Sequence, residues 1–453
     1  MDYSTLASWD EAWYGSIARN ILKTGSWFLL TFNGKPYFDH PPLGFWLMAI
    51  SYKLFGINEF STRLPSAFLG LVSVFLIFTI AYEMTKKKVV GLAASLILGT
   101  CVWYVIRVRS GNLDAIFVFF YLLTVFFAMR SAKNFRWFPL TALAFAGLVL
   151  SKTIIGISAI VLIGILNLRQ LVRVKNIPYL LAGGILFAAA VLPWYYINNK
   201  IYSDFYYQHF IVIGTREKKL SSFFHLVKVP QTLFYLHMGV RKWYYIWIAA
   251  TSYLLLTFRF IKKQVFFLLS WTFIVLYPFL TSEKTELWHL IPVYVPLSLL
   301  IAVGLYDGIE RGMTFVKGFI AVPLRISSST KIVFLAIVIY ISLIQSSRFR
   351  HEVFAASKYV SDEPDIAKKA AHYPGILFLD DDFLPVAVFY SGRDIRQVAY
   401  EPEDKKSLVK LFQSDEKNIV VITRYWAVKH LDEAHIGYKV LDGNKSFSII
   451  SRP

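Results

Sequence analysis

Ten apolar runs, separated by loops that alternate between strongly basic and acid-bearing, constrain this chain more than any other feature. They lie near residues 60–84, 88–106, 113–129, 137–150, 153–168, 178–197, 243–258, 264–281, 288–306 and 332–348. Most approach the roughly 20 residues that a membrane-spanning helix needs, and a backbone in hydrocarbon must satisfy its own polar groups. The expected fold class is mainly α, a polytopic transmembrane helical bundle. Composition agrees, with 56% hydrophobic and 17% aromatic residues and a mean hydropathy of +0.50, above soluble-domain usage. The apolar stretch from Leu43 to Phe55 is too short to span and is interrupted by Lys53, so it is expected along the interface.

The basic residues of the short loops set the orientation. One side holds Lys86, Lys87 and Lys88; Arg130, Lys133 and Arg136; Arg169, Arg173 and Lys175; Arg259, Lys262 and Lys263; and Arg311, Lys317 and Arg325. That side is assigned to the cytoplasm. The outer side then receives the first sixty residues, the loops around Asp114 and Lys152, the segment 198–242, Lys284 and everything after Arg348. An even number of spans puts both ends outside, so a signal-anchor helix is expected upstream of Met1. This topology accounts for much of the net charge of +19, and no nucleic-acid motif accompanies it, so no nucleic-acid partner is expected. The single cysteine, Cys101, lies in an apolar run and is expected to pack.

Beyond Arg348 short apolar strands alternate with polar helical stretches, Gly375–Leu379 and Asn418–Ile422 being the clearest strands. The expected organisation is an extracytoplasmic first loop over 1–59, a transmembrane domain over 60–348 and a small extracytoplasmic α/β domain over 349–453. The run Asp380-Asp381-Asp382 reads first as a solvated loop and second as a cation ligand.

Polar groups among the apolar runs collect on the outer side, where a carboxylate beside a membrane asks for a functional reason. Asp10 and Glu11 open a helix that ends near Lys23-Thr24-Gly25. Ser8 and Glu11 have capping-box spacing, so Glu11 is either a cap or a working carboxylate. Asp10 and Tyr14, four apart, share a helix face, and Asp10 at the positive end of the dipole suits accepting a hydroxyl proton. Asp114 follows Arg107, Arg109, Ser110, Gly111 and Asn112; its bland reading is a helix-terminal acid neutralised by Arg109. Lys152 reads otherwise as a snorkelling lysine and His40, before two prolines, as a turn histidine. Several cations beside two acids suit an anionic substrate that is bound and cleaved.

The motifs Asp10-Glu11-Ala12-Trp13-Tyr14, Asn33-Gly34-Lys35-Pro36-Tyr37-Phe38-Asp39-His40-Pro41-Pro42-Leu43, Arg63-Leu64-Pro65, Leu113-Asp114 and Ser151-Lys152-Thr153 occur in this order. Together they resemble the GT-C membrane glycosyltransferases. The similarity is greatest to the bacterial branch related to aminoarabinose transferases and protein O-mannosyltransferases, the dolichyl-phosphate-mannose-protein mannosyltransferase-like family. It covers roughly the first three hundred residues, specific over the first 160 and weaker at His209, His237, Trp243-Tyr244-Tyr245 and His289-Leu290-Ile291-Pro292.

The resemblance implies a polyprenyl-phosphate-linked sugar as donor and a lipid, glycan or protein hydroxyl as acceptor, joined with inversion at the outer face of the inner (plasma) membrane. In it Asp10 is the general base or an acceptor-orienting carboxylate and Asp114 a second catalytic acid that helps bind acceptor or sugar. Lys152, His40, Arg107 and Arg109 bind the donor phosphate, and Glu11, Tyr14, Tyr37, His209, His237, Tyr244 and His289 line the substrates. His40 departs from a lysine common in relatives, and Trp13 from an arginine, which leaves Arg107 or Arg109 to supply the charge. No cofactor is implied; Asp10, Asp39, His40 and Asp114 have the chemistry to hold a divalent metal, and metal dependence stays open. The alternatives from other classes are a transporter or lipid flippase, and a non-catalytic scaffold that displays the α/β domain.

Overall fold

The computed structural model describes residues 5–6, 9–215, 225–257, 263–282, 285–319, 326–356, 361–399 and 405–453. Ser8 and the loop cations Arg259, Lys262, Lys284 and Arg325 lie outside them. The chain divides into two compact units: one of residues 38–44 and 65–354, the other of 1–37, 45–64 and 355–453.

In the first unit all ten apolar runs are helical. Among the described residues six helices are long and apolar enough to cross a membrane: Glu59–Thr85, Asp114–Lys133, Val174–Ile201, Lys263–Leu280, Leu287–Val316 and Ser328–Ser347. A seventh crossing is a bent pair, Lys88–Gly99 and Val102–Arg109, turned by 69°. The other three runs form the shorter helices Phe135–Ser151, Ile155–Leu171 and Lys242–Leu256. Among the described residues six or seven of the ten runs are therefore long enough to cross as one helix, and the shorter three still expose apolar side chains such as Leu143, Ile160, Leu168 and Tyr245.

The bend falls at Thr100 and Cys101, where no proline marks it. A break in a helix frees backbone groups that hydrocarbon cannot satisfy, so partners must come from other helices. The Gln345 amide donates to the Thr100 carbonyl at 2.6 Å and to the Val240 carbonyl at 3.1 Å, and the Trp243 indole donates to the Thr100 hydroxyl at 2.9 Å. The core around this point is built on fully buried Trp243, Trp271 and Tyr294.

The second unit carries a five-stranded mixed sheet. Its strands are β3 (Ile376–Asp380), β4 (Arg396–Ala399), β5 (Ile419–Arg424), β6 (Lys439–Gly443) and β7 (Phe447–Ser451), following a small hairpin of β1 (Thr31–Phe32) and β2 (Lys35–Pro36). The order is β4-β3-β5-β7-β6, parallel across β4, β3 and β5 and antiparallel across β5, β7 and β6. The expected α/β domain and both expected strands are present. Asp380 and Asp381 are buried: Asp380 accepts from the Thr423 hydroxyl at 2.8 Å and Asp381 pairs with Arg424, so these acids tie β3 to β5.

The N-terminal helix Trp9–Thr24 belongs to the same unit. Arg19 donates to the carbonyls of Phe389 at 2.7 Å and Val388 at 3.1 Å, closing the C-terminal turn of the helix Leu384–Ser391. Asn33 exchanges two hydrogen bonds with the backbone of Ile395, at 2.6 and 2.7 Å. The helix Leu43–Phe55 is one-sided, with Phe45, Met48, Ala49 and Tyr52 buried and Ile50, Leu54 and Phe55 exposed, as the 3.6-residue period requires.

Gly375 is the tightest point of the sheet. It enters β3 with φ of +124°, and a Cβ there would lie 2.2 Å from the Asn418 carbonyl oxygen beside the Ile376 N–H···O=C Asn418 bond. Gly375→Ala is expected to destabilise this unit by about 2–4 kcal/mol, through strain and a lost strand contact. Limited proteolysis of the α/β region against denaturant reads the loss.

Candidate active site

The sequence-derived site residues fall on both units, and each unit forms its own cluster. In the unit that holds the α/β sheet, Asp10 and Glu11 occupy the first turn of the helix Trp9–Thr24. Glu11 is buried and takes two bonds from Arg63, Nε–Oε1 at 2.8 Å and Nη2–Oε2 at 3.0 Å. This bidentate pair gives the Arg63-Leu64-Pro65 motif a physical role, since it joins the N-terminal helix to the start of the helix Glu59–Thr85. Asp10 stays partly exposed beside it. Tyr14 and Tyr37 are buried, both with their rings 5.6 Å from Phe45 and edge-on to it.

In the membrane unit Asp114 is the first residue of its spanning helix and is almost completely buried. Two cations meet it. Arg107 Nε lies 2.7 Å from Oδ2, and Lys152 bonds Oδ1. Arg107 is one arginine paired with Asp114; Arg109 ends the same short helix, half-buried. Lys152 sits where the helix Phe138–Ser151 stops and the next begins, in extended backbone. A buried carboxylate flanked by two cations is charge-compensated, and the triad keeps one net positive charge for an anion.

Asn112, fully buried, fixes this geometry from below. Its side chain accepts the Asp114 N–H at 3.0 Å and donates to the Arg107 carbonyl at 2.8 Å, while Ser66 donates to the Asn112 carbonyl. The Arg107 guanidinium lies 5.7 Å from the Trp288 ring centroid. Sequence reasoning did not assign roles to Asn112, Ser66 or Trp288. Asn112, two residues before Asp114, carries the local spacing of an Asx turn and was legible in that sense; Ser66 and Trp288 act from other helices and had no local signal.

His40 feels the charges of Lys152 and Asp114 and, more weakly, of His209 and His289. Burial, with Lys152 next in weight, pushes the imidazole down to about 3, which leaves it neutral near pH 7. Burial also lowers His209, whose Nδ1 lies 2.6 Å from the Phe38 carbonyl and whose ring stacks on Phe205 at 5.5 Å. Asp39 is raised by burial. His289 caps its own turn through the Glu286 N–H at 3.1 Å and stacks on Phe279 at 6.5 Å. His237 and Tyr244 form a separate aromatic group with Tyr245, ring centroids 5.3 to 5.7 Å apart. Among the described residues no three His, Cys, Asp or Glu side chains come together as a metal-ligand set.

Comparison with known proteins places the class. Residues 39–197, which hold His40, Arg107, Asp114 and Lys152, match the family described as Dolichyl-phosphate-mannose-protein mannosyltransferase. The crystal structure of ArnT from Cupriavidus metallidurans has the same fold, with TM-score 0.69 in the apo state and 0.71 bound to undecaprenyl phosphate, at 17% identity over 99% of this chain and 94% of that one. The undecaprenyl phosphate-alpha-4-amino-4-deoxy-L-arabinose arabinosyl transferase of Shewanella sediminis is 25% identical over 313 residues, 67% of this chain and 56% of that protein. Its counterpart in Aeromonas hydrophila is 28% identical over 327 residues, 69% and 58%. This chain spans a little over half the length of these curated relatives. It is a multi-pass membrane protein of the GT-C fold, and the resemblance to the family of ArnT and the mannosyltransferases, read above from the motifs, is borne out.

Two predictions rest on this geometry. Removing one partner of the buried Glu11–Arg63 pair, as in Arg63→Met, is expected to cost about 3–5 kcal/mol, and adding Glu11→Gln to cost less than the sum of the two, in a double-mutant cycle of thermal unfolding in detergent. For His40, the unfolded residue takes a proton below about 6.5 and the folded one only near 3. Unfolding therefore binds protons in that window, stability falls as pH drops from 6.5 toward 3, and His40→Gln should flatten this slope.

Proposed function

We propose that this protein is an integral membrane glycosyltransferase that moves a sugar from a polyprenyl-phosphate donor to an acceptor hydroxyl, on the extracytoplasmic side and with inversion. The observation that carries the reading is the Arg107–Asp114–Lys152 triad at the head of a spanning helix, two cations on one buried acid, in a fold whose relative from Cupriavidus metallidurans binds undecaprenyl phosphate. The basic loops on the opposite face support the orientation.

The reaction asks little of the protein in covalent terms. The acceptor oxygen forms a bond to the anomeric carbon as the bond from that carbon to the phosphate oxygen breaks; the hydroxyl proton passes to Asp10, and polyprenyl phosphate departs with the bonding pair. Lys152 and Arg107 receive the developing negative charge, which is where a preorganised cation lowers a barrier most. Asp114 holds both cations at fixed positions before the donor arrives. His40, half-buried and with its imidazole pKa pushed down by desolvation and by Lys152, serves as a hydrogen-bonding group to the phosphate or sugar rather than as a cation. The curated relatives are named for undecaprenyl phosphate-alpha-4-amino-4-deoxy-L-arabinose, so that donor is tested first, with polyprenyl-phosphate mannose beside it.

Transfer assayed with these donors in envelope-lipid vesicles should fall by at least about 10²-fold in kcat for Asp10→Asn, the range of a lost general base. Lys152→Met should weaken donor capture as well as turnover, by about tenfold or more in kcat/KM. Full activity in Asp10→Asn would remove the base assignment, and absence of transfer by the wild type from every polyprenyl-phosphate sugar would remove the function.

A further inference from the structure

The far end of the membrane unit carries a second charged assembly that glycosyl transfer does not use. Glu83, near the end of the helix Glu59–Thr85, is bound by three cations at once: Lys86 at 2.9 Å, Arg130 at 2.9 Å and Lys133 at 2.6 Å. The carboxylate side chain is 12% exposed, whereas the three cations are 40 to 62% exposed. One acid thus gathers three bases and leaves a formal surplus of two positive charges facing outward.

Local structure explains the convergence. Lys86 adopts a left-handed conformation, φ of +58°, and its N–H closes on the Tyr82 carbonyl at 2.7 Å, so the helix stops and the lysine folds back over Glu83 and the Tyr82 ring. Arg130 and Lys133 occupy the last turn of the helix Asp114–Lys133. Both helices are candidate spans, so the cluster lies at a membrane boundary. Trp137, 40% exposed and stacked on Phe127 at 6.0 Å, sits just beyond it, as an aromatic at headgroup level does.

The neighbouring charges are arranged differently. A cavity of about 200 Å³ is lined by Lys87, Tyr306, Asp307 and Arg311 among others. There Lys87 is matched by Glu310 at 2.7 Å and Arg311 by Asp307 at 2.9 Å, acids and cations in equal number. Three cations gathered on one acid set the Glu83 cluster apart from this pairing.

We infer that the Glu83 cluster binds the phosphate headgroup of an anionic membrane lipid in the leaflet on the basic side. Glu83 prearranges Lys86, Arg130 and Lys133 into one concentrated site, and the two surplus charges complement a phosphate. The inference stands apart from catalysis: Asp114 begins the helix whose last turn supplies the site, about 30 Å away at 1.5 Å per residue.

The test uses the full chain in detergent, titrated with dioleoyl-phosphatidylglycerol or dioleoyl-phosphatidylcholine and read by native mass spectrometry. Phosphatidylglycerol should bind more tightly than phosphatidylcholine. The double variant R130Q/K133Q should lower phosphatidylglycerol affinity on the order of tenfold. R173Q/K175Q, on the same basic face, should bind as the wild type does, and glycerol phosphate at millimolar concentration should not displace the lipid. Unchanged affinity in R130Q/K133Q, an equal loss in R173Q/K175Q, or displacement by glycerol phosphate would overturn the inference.

Discussion

Everything at the candidate site depends on keeping the Asp114 carboxylate ionised at the head of a membrane-spanning helix. A lone buried carboxylate there would either protonate or pull the helix out of register, since desolvation opposes its charge. Arg107 and Lys152 remove that problem, and by doing so they are themselves held in fixed positions. The acid and its two cations come from three different segments, so the site forms only when the helices have packed. Asn112 then locks the turn that joins two of those segments.

That arrangement traces back to an irregularity. Arg107 lies on the short helix Val102–Arg109 that follows the bend at Thr100 and Cys101. The bend persists because Gln345 and Trp243, more than a hundred residues away in sequence, satisfy the groups it exposes. Distant packing in the membrane core thereby positions a cation at its edge. In the other unit the Glu11–Arg63 pair works in the same way, tying the helix that bears Asp10 to the start of a spanning helix.

Much of this was legible in the chain. Each of the ten apolar runs fell on a helix, because burial in lipid and burial among helices select the same side chains; the helix Val229–Val240, outside the runs, did not show. The strands β3 and β5 were readable because a strand buried on both faces is a short continuous apolar run. The motif order pointed to Asp10, Asp114 and Lys152, but partner choice was not local. Glu11 met Arg63, 52 residues on, and Arg107 reached Asp114 across the turn that Asn112 holds. The neutrality of His40 was equally hidden, since it arises from burial and from Lys152.

The account turns on where the lipid phosphate goes. A structure of the full chain in nanodiscs with bound undecaprenyl phosphate measures this directly. The account predicts phosphorus density in contact with Lys152 and Arg107, beside an Asp114 that keeps at least one of its two cations, and loss of that density in Lys152→Met. Phosphate density elsewhere on the protein, with the triad undisturbed, would contradict it.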